Sequence, residues 1–145
     1  MKILIATDGS PCSHQAIRRA ATLLPLQAAE LHVVSVANVV PLIAAGEVGF
    51  AAAAQVHREM TQAESHLQNA LAVLGNLGLK AKTHGREGDP AHEIVALAGE
   101  LAADILVLGA HGKNGLERLL MGSISDAVLH QWRGAVLVIR PETAN

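Results

Sequence analysis

Five strand-length apolar runs alternate along this chain with four stretches of helical spacing, and no other feature constrains its fold as tightly. The runs are Lys2-Ile3-Leu4-Ile5-Ala6, Glu30 to Ala37, Leu79 to His84, Asp104 to Leu108 and Ala135 to Ile139. Most are continuously apolar, the pattern of parallel strands covered on both faces; only Leu79 to His84 alternates, as a strand nearer an edge does. Strands alternating with helices imply right-handed crossovers. The expected fold is therefore α/β, an open five-stranded parallel sheet with helices on both faces. At 145 residues one domain, 1–145, accounts for the whole chain.

The punctuation between these runs is specific. Thr7-Asp8-Gly9-Ser10-Pro11 breaks the first run, Ser10 offering a helix cap and Pro11 suiting the first helical position. Ala16, Ile17, Ala20, Ala21 and Leu24 then share one helical face, and Pro25 ends that helix. Val56, Met60, Ala63, Leu67, Ala70, Leu71 and Leu74 mark a long second helix stopped at Gly75-Asn76-Leu77-Gly78. Gly85-Arg86-Glu87-Gly88 reads as a loop, after which Asp89-Pro90 repeats the cap-plus-proline device. Ile94, Val95, Leu97, Ala98 and Leu101 line the third helix, and Ser123 to about Trp132 forms the fourth. The segment from Asn38 to Ala54 settles into no period and reads as a loop or loose first turn, a candidate lid.

In open parallel sheets ligands sit outside the carboxyl ends of the strands, where strand order reverses. Asp8, Asn38, Gly88 and Gly109 all fall at such ends. The stretch Leu108-Gly109-Ala110-His111-Gly112 continues to Gly122-Ser123-Ile124-Ser125, just where the fourth helix begins. First-turn N–H groups of a helix have no intrahelical partner and favour an anion, and glycine admits a phosphate close to the backbone. A phosphate cradle is one reading; an ordinary strand–loop–helix turn is the other.

The net charge of −2 gives no electrostatic reason to expect nucleic acid or an anionic membrane, and Phe50 and Trp132 are the only aromatics. Cys12 is the only cysteine, which removes intrachain disulfides and multi-cysteine metal sites. The amino-terminal apolar run is too short for a signal peptide, and no run approaches the roughly 18–20 residues of a membrane span. The expected location is the cytoplasm. The eight histidines are scattered, with no pair in a helical metal-ligand arrangement; His111, inside the glycine loop, is the one nearest a candidate site. Cys12 at a helix start could carry a lowered pKa or simply be a small buried residue.

Gly109-x2-Gly112-x9-Gly122-Ser123 matches the Gly-x2-Gly-x9-Gly-Ser/Thr signature, and in this the chain resembles the ATP-binding universal stress proteins. Ile3 to Ser10, Leu31-His32-Val33, Gly88-Asp89-Pro90 and Val136 to Arg140 resemble other family segments in the same order. The resemblance implies a Rossmann-like sheet of the adenine nucleotide alpha hydrolase type, strand order 3-2-1-4-5. It also implies a cytoplasmic homodimer paired through the last strand, Ala135 to Ile139, with a role in stress response. Carried over by position, Ala6 and Asp8 would flank the adenosine, Asp8 accepting from ribose hydroxyls. Val33 would meet the adenine through its backbone. Leu108, Gly109 and Gly112 would border the phosphates, and Gly122, Ser123, Ile124 and Ser125 would grip them through N–H groups and two hydroxyls. The implied ligand is ATP, with Mg2+ on its phosphates and no metal site from protein alone. One departure is local: where the family carries a proline turn before the last strand, this chain has Gln131-Trp132-Arg133-Gly134.

Rival phosphate folds lack their residues here. No Gly-x4-Gly-Lys-Ser/Thr follows the first strand, Gly9 stands alone where a dinucleotide fold needs three glycines, and no lysine follows the last strand as a phospho-receiver would require. Three functions remain: a nucleotide-dependent regulator without catalytic residues, a slow ATP-hydrolysing enzyme, and a dimerisation module without nucleotide. An intact glycine motif disfavours the last. Asp8, the only acid placed near the nucleotide, is committed to ribose, which disfavours the second. Lys113 and Arg118 lie in the loop, where they could offset phosphate charge or be solvated surface.

Overall fold

The computed structural model describes residues 1–46, 48–112 and 121–142. Five parallel strands, β1 (Lys2–Ala6), β2 (Glu30–Asn38), β3 (Lys82–Gly88), β4 (Ile105–Gly109) and β5 (Ala135–Ile139), form one sheet in the order β3-β2-β1-β4-β5. Helices α1 (Pro11–Leu23) and α3 (Phe50–Asn76) cover one face, α4 (Pro90–Leu101) and α5 (Ser123–Gln131) the other. The alternation along each strand explains the two cores. Ile3, Ile5, Val33 and Val107 point toward Ala16, Ile17, Leu67 and Leu74. Leu4, Val34, Leu106 and Leu108 point toward Ile94, Leu97 and Val128. The order reverses between β1 and β4, so the chain's binding crevice is expected beyond Ala6 and Gly109.

Both cap-plus-proline devices form. Ser10 Oγ accepts from the Ser13 N–H at 3.2 Å and Asp89 Oδ2 from the His92 N–H at 3.0 Å, with Pro11 and Pro90 at the first helical positions. The apolar stripe of α3 is buried only from Ala63 onward; Met60 stays half exposed because the helix begins beyond the core.

Three local expectations are corrected. The segment 38–54 is not one irregular stretch: β2 continues through Asn38, a short helix α2 (Val40–Ala44) follows, and α3 already starts at Phe50. Gly85 to Gly88 is not a loop, and the strand does not start at Leu79. Because β2 runs to Asn38, its backbone offers partners as far as Gly88, while Leu79 turns into the α1–α3 core. Pairing, not side-chain alternation, sets that strand's limits. The path into β5 is fixed by Trp132, which packs on the α4–α5 core with its indole over Gly134. A β-carbon on Gly134 would stand 2.5 Å from Nε1. No helix among the described residues is long and apolar enough to cross a membrane.

Candidate functional site

Beyond the carboxyl ends of β1 and β4 lies a crevice of about 580 Å3, within the range of small-molecule sites. Its floor begins in the turn after β1. Ser13 Oγ donates to the Ser10 carbonyl at 2.8 Å, so the 3.1 Å contact between Thr7 Oγ1 and Ser13 Oγ has Thr7 as donor. Thr7 Oγ1 in turn accepts from the Gly9 N–H at 3.2 Å, and the Thr7 N–H donates to the Val34 carbonyl at 2.9 Å. Asp8 Oδ1 accepts from the Ser10 N–H at 3.0 Å. Its second oxygen faces Gly112, where an added β-carbon would lie 2.8 Å from Oδ2. The acidic turn and the glycine loop therefore meet at the crevice, and a side chain at Gly112 would have to displace the Asp8 carboxylate.

A second wall is the start of α5. Gly122 is its N-cap, without a side-chain capping bond, so the first-turn N–H groups are presented at the crevice. Ser123 and Ile124 are exposed there, while Ser125 is buried and its hydroxyl donates to the Gly109 carbonyl at 2.7 Å. The Gly122 N–H donates to the Ala110 carbonyl at 2.6 Å. Of the groups expected to grip a phosphate, these two already serve the join between β4 and α5. The N–H groups of Ser123, Ile124 and Ser125 and the Ser123 hydroxyl lie at the crevice with the start of α5. Gly109 also has a second duty: a β-carbon there would come within 3.0 Å of Cys12 Sγ, so α1 packs directly on the end of β4.

Of the residues named from sequence, Ala6, Asp8, Leu108, Gly109, Gly112, Gly122, Ser123, Ile124 and Ser125 line this crevice together. Val33 does not. Its side chain is fully buried on the α1–α3 side, beside Ile5 in the sheet, and the adenine contact implied for it is a backbone one. His111 lines the crevice, and Lys113 and Arg118 lie outside the described residues. Asn38, expected at a strand end, and Pro41 line the crevice too, but sequence reasoning missed the wall that α3 supplies: Glu59, Gln62, Ala63 and His66. The signal was present as polar and small residues at helical spacing beside the core stripe of α3, but only the sheet brings that stripe to Asp8. Glu59 is engaged, accepting from Gln55 Nε2 at 3.2 Å. Among the described residues no group of three or more histidine, cysteine or acidic side chains could hold a metal.

A model of the universal stress protein family matches residues 1–140. Universal stress protein MJ0531 of Methanocaldococcus jannaschii is 33% identical over 140 residues, covering 96% of this chain and 81% of that protein. The solved structure of MJ0577, from the same organism, is similar with a TM-score of 0.82 at 26% identity, covering 99% of this chain and 97% of the other. A universal stress protein solved in complex with cAMP is similar at 22% identity with a TM-score of 0.69, covering 96% of each chain. One from Archaeoglobus fulgidus in complex with dAMP is similar at 20% identity with a TM-score of 0.67, covering 95% of this chain and 96% of the other.

Proposed function

This chain belongs to the universal stress protein family, and from that premise we propose that its crevice binds an adenine nucleotide, ATP in particular, and that binding regulates the protein's conformation. The observation that carries the reading is the meeting of Asp8 with Gly112 on one side and the open first turn of α5 on the other. A carboxylate accepts from ribose hydroxyls, and a helix N-terminus takes phosphate, so the crevice offers a partner to each part of a nucleotide. Structural relatives solved with cAMP and dAMP support an adenylate as the ligand. Ala6, Asp8 and β2 would border the nucleoside; Leu108, Gly109 and Gly112 would flank the phosphates, held by the N–H groups of Ser123, Ile124 and Ser125. Mg2+ would ride on the phosphates, neutralising their charge, and the Ser123 hydroxyl would donate to a phosphate oxygen.

The protein binds rather than turns over nucleotide, and acts as a homodimer in which β5, the sheet's edge strand, pairs with its counterpart. The family match supports cytoplasmic residence and a role in stress response. Thermal unfolding with and without ATP tests the central reading. Ligand at a hundredfold excess over its dissociation constant adds about 2.7 kcal/mol to native stability, so the melting temperature rises. An unchanged melting temperature in millimolar ATP, with no nucleotide released from heat-denatured protein, would falsify it. Release of ADP from pure protein above background overturns the preference for binding over turnover.

A further inference from the structure

One residue of α3 has a place in this site that neither the glycine motif nor the acidic turn provides. His66 lines the crevice and packs its ring against Gly9, the residue that follows Asp8. The fit is tight: a β-carbon on Gly9 would lie 2.3 Å from His66 Cδ2, 2.8 Å from Nε2 and 3.0 Å from Cγ. Gly9 has a φ of +76°, a conformation that glycine adopts freely and leaves as freely. On the α1 side the turn is held by the Thr7, Ser10 and Ser13 hydroxyls. On the α3 side it meets the face of His66. The other side of the imidazole reaches β2, with Nδ1 3.4 Å from Ser35 Oγ, a long and therefore weak contact.

We propose that His66 is a positioning residue for Asp8: by wedging between Ser35 and Gly9 it confines the turn and holds the Asp8 carboxylate in the direction that accepts from ribose hydroxyls. The inference rests on the nucleotide reading above. Cδ2, Nε2 and Cγ all crowd the Gly9 position, so the bulk of the ring is what confines the turn.

The test compares ATP with 2′,3′-dideoxy-ATP by titration calorimetry on wild-type, His66→Ala and His66→Leu proteins. Wild-type protein prefers ATP, because only ATP offers both hydroxyls to Asp8. His66→Ala weakens ATP binding about tenfold and leaves dideoxy-ATP within about twofold, a split that general loss of structure does not produce. His66→Leu, which restores bulk against Gly9, keeps the wild-type preference, and it remains informative should the alanine variant fold poorly. Equal weakening of both ligands in His66→Ala, an unchanged preference there, or loss of the preference in His66→Leu overturns the inference alone. Wild-type binding of neither ligand overturns the nucleotide reading, and this one with it.

Discussion

The carbonyl oxygen of Ala110 accepts from the N–H of Gly122 at 2.6 Å, joining the two ends of the glycine loop across twelve positions of sequence. This bond sets where α5 begins relative to the end of β4. It also leaves little room at Gly122, where a β-carbon would lie 3.1 Å from the Ala110 oxygen, 3.5 Å from His111 Cα and 3.7 Å from the Gly112 nitrogen. The neighbours are backbone and cannot rotate away.

Gly122→Val is accordingly expected to push the start of α5 off the Ala110 carbonyl. Overpacking of this kind costs about 1–3 kcal/mol, which a folded domain survives. The far-UV circular dichroism should be native-like, while ATP affinity measured by calorimetry falls by more than about tenfold. Native affinity in the folded variant would show that the phosphates do not sit at this helix start.

The Ser125 hydroxyl is buried and bonded to the Gly109 carbonyl at 2.7 Å, so its first role is to tie α5 to β4. Ser125→Ala removes that bond and leaves the carbonyl short of a donor. A loss of about 1–3 kcal/mol is expected in urea unfolding of the ligand-free protein. A change confined to nucleotide affinity, with ligand-free stability intact, would assign the hydroxyl to the phosphates after all.

A third expectation concerns pH and lies on the other side of β2. Buried His32 bonds His84 through Nδ1 and Nε2, 2.8 Å apart, and its Nε2 reaches Glu30 Oε1 at 3.0 Å. A hydrogen bond from Lys82, then one from His32, holds the Glu30 carboxyl below its ordinary range. Glu30 is thus ionised and accepts from His32 Nε2–H, and His32 Nδ1 accepts from His84 Nε2–H. Burial, then the neighbouring His32 and Arg86, lowers the His84 pKa below its ordinary 6.5; Glu100 on α4 opposes this in part. Lys2 of β1 also faces Glu30, and Arg86 is paired with Glu93 and Glu100.

The sign follows from linkage. A histidine with a lowered native pKa takes up protons on unfolding, so its contribution is complete above 6.5 and is lost as pH falls below that value. Glu30, also lowered, acts in the same direction at more acid pH. Urea midpoints should decline from about pH 7 to about pH 5, and His84→Gln should flatten that decline. An equally steep decline in His84→Gln would place the acid sensitivity elsewhere.

Much of this architecture was legible because its signals are local. Ser10-Pro11 and Asp89-Pro90 announce helix starts through atoms within three residues, and both caps form as read. Continuous apolar runs announce buried strands, and β5 begins and ends where its sequence says. The errors share a cause. Where β3 ends depends on how far β2 extends beside it, and Leu79 to Ala81 carry an alternating pattern without a strand partner.

The sequence by itself determined the parallel α/β sheet, the strand ends that carry the site, and the glycine and hydroxyl residues grouped there, since each depends on periodicity or on chemistry within one turn. Tertiary structure alone decided how those residues divide their duties. It assigned the Gly122 N–H and the Ser125 hydroxyl to holding β4 and α5 together, and it brought His66 from α3 onto Gly9. Contacts between different elements, from 12 positions apart for Gly122 and Ala110 to 57 for His66 and Gly9, are set by the packing of helices on the sheet, and no local pattern encodes them.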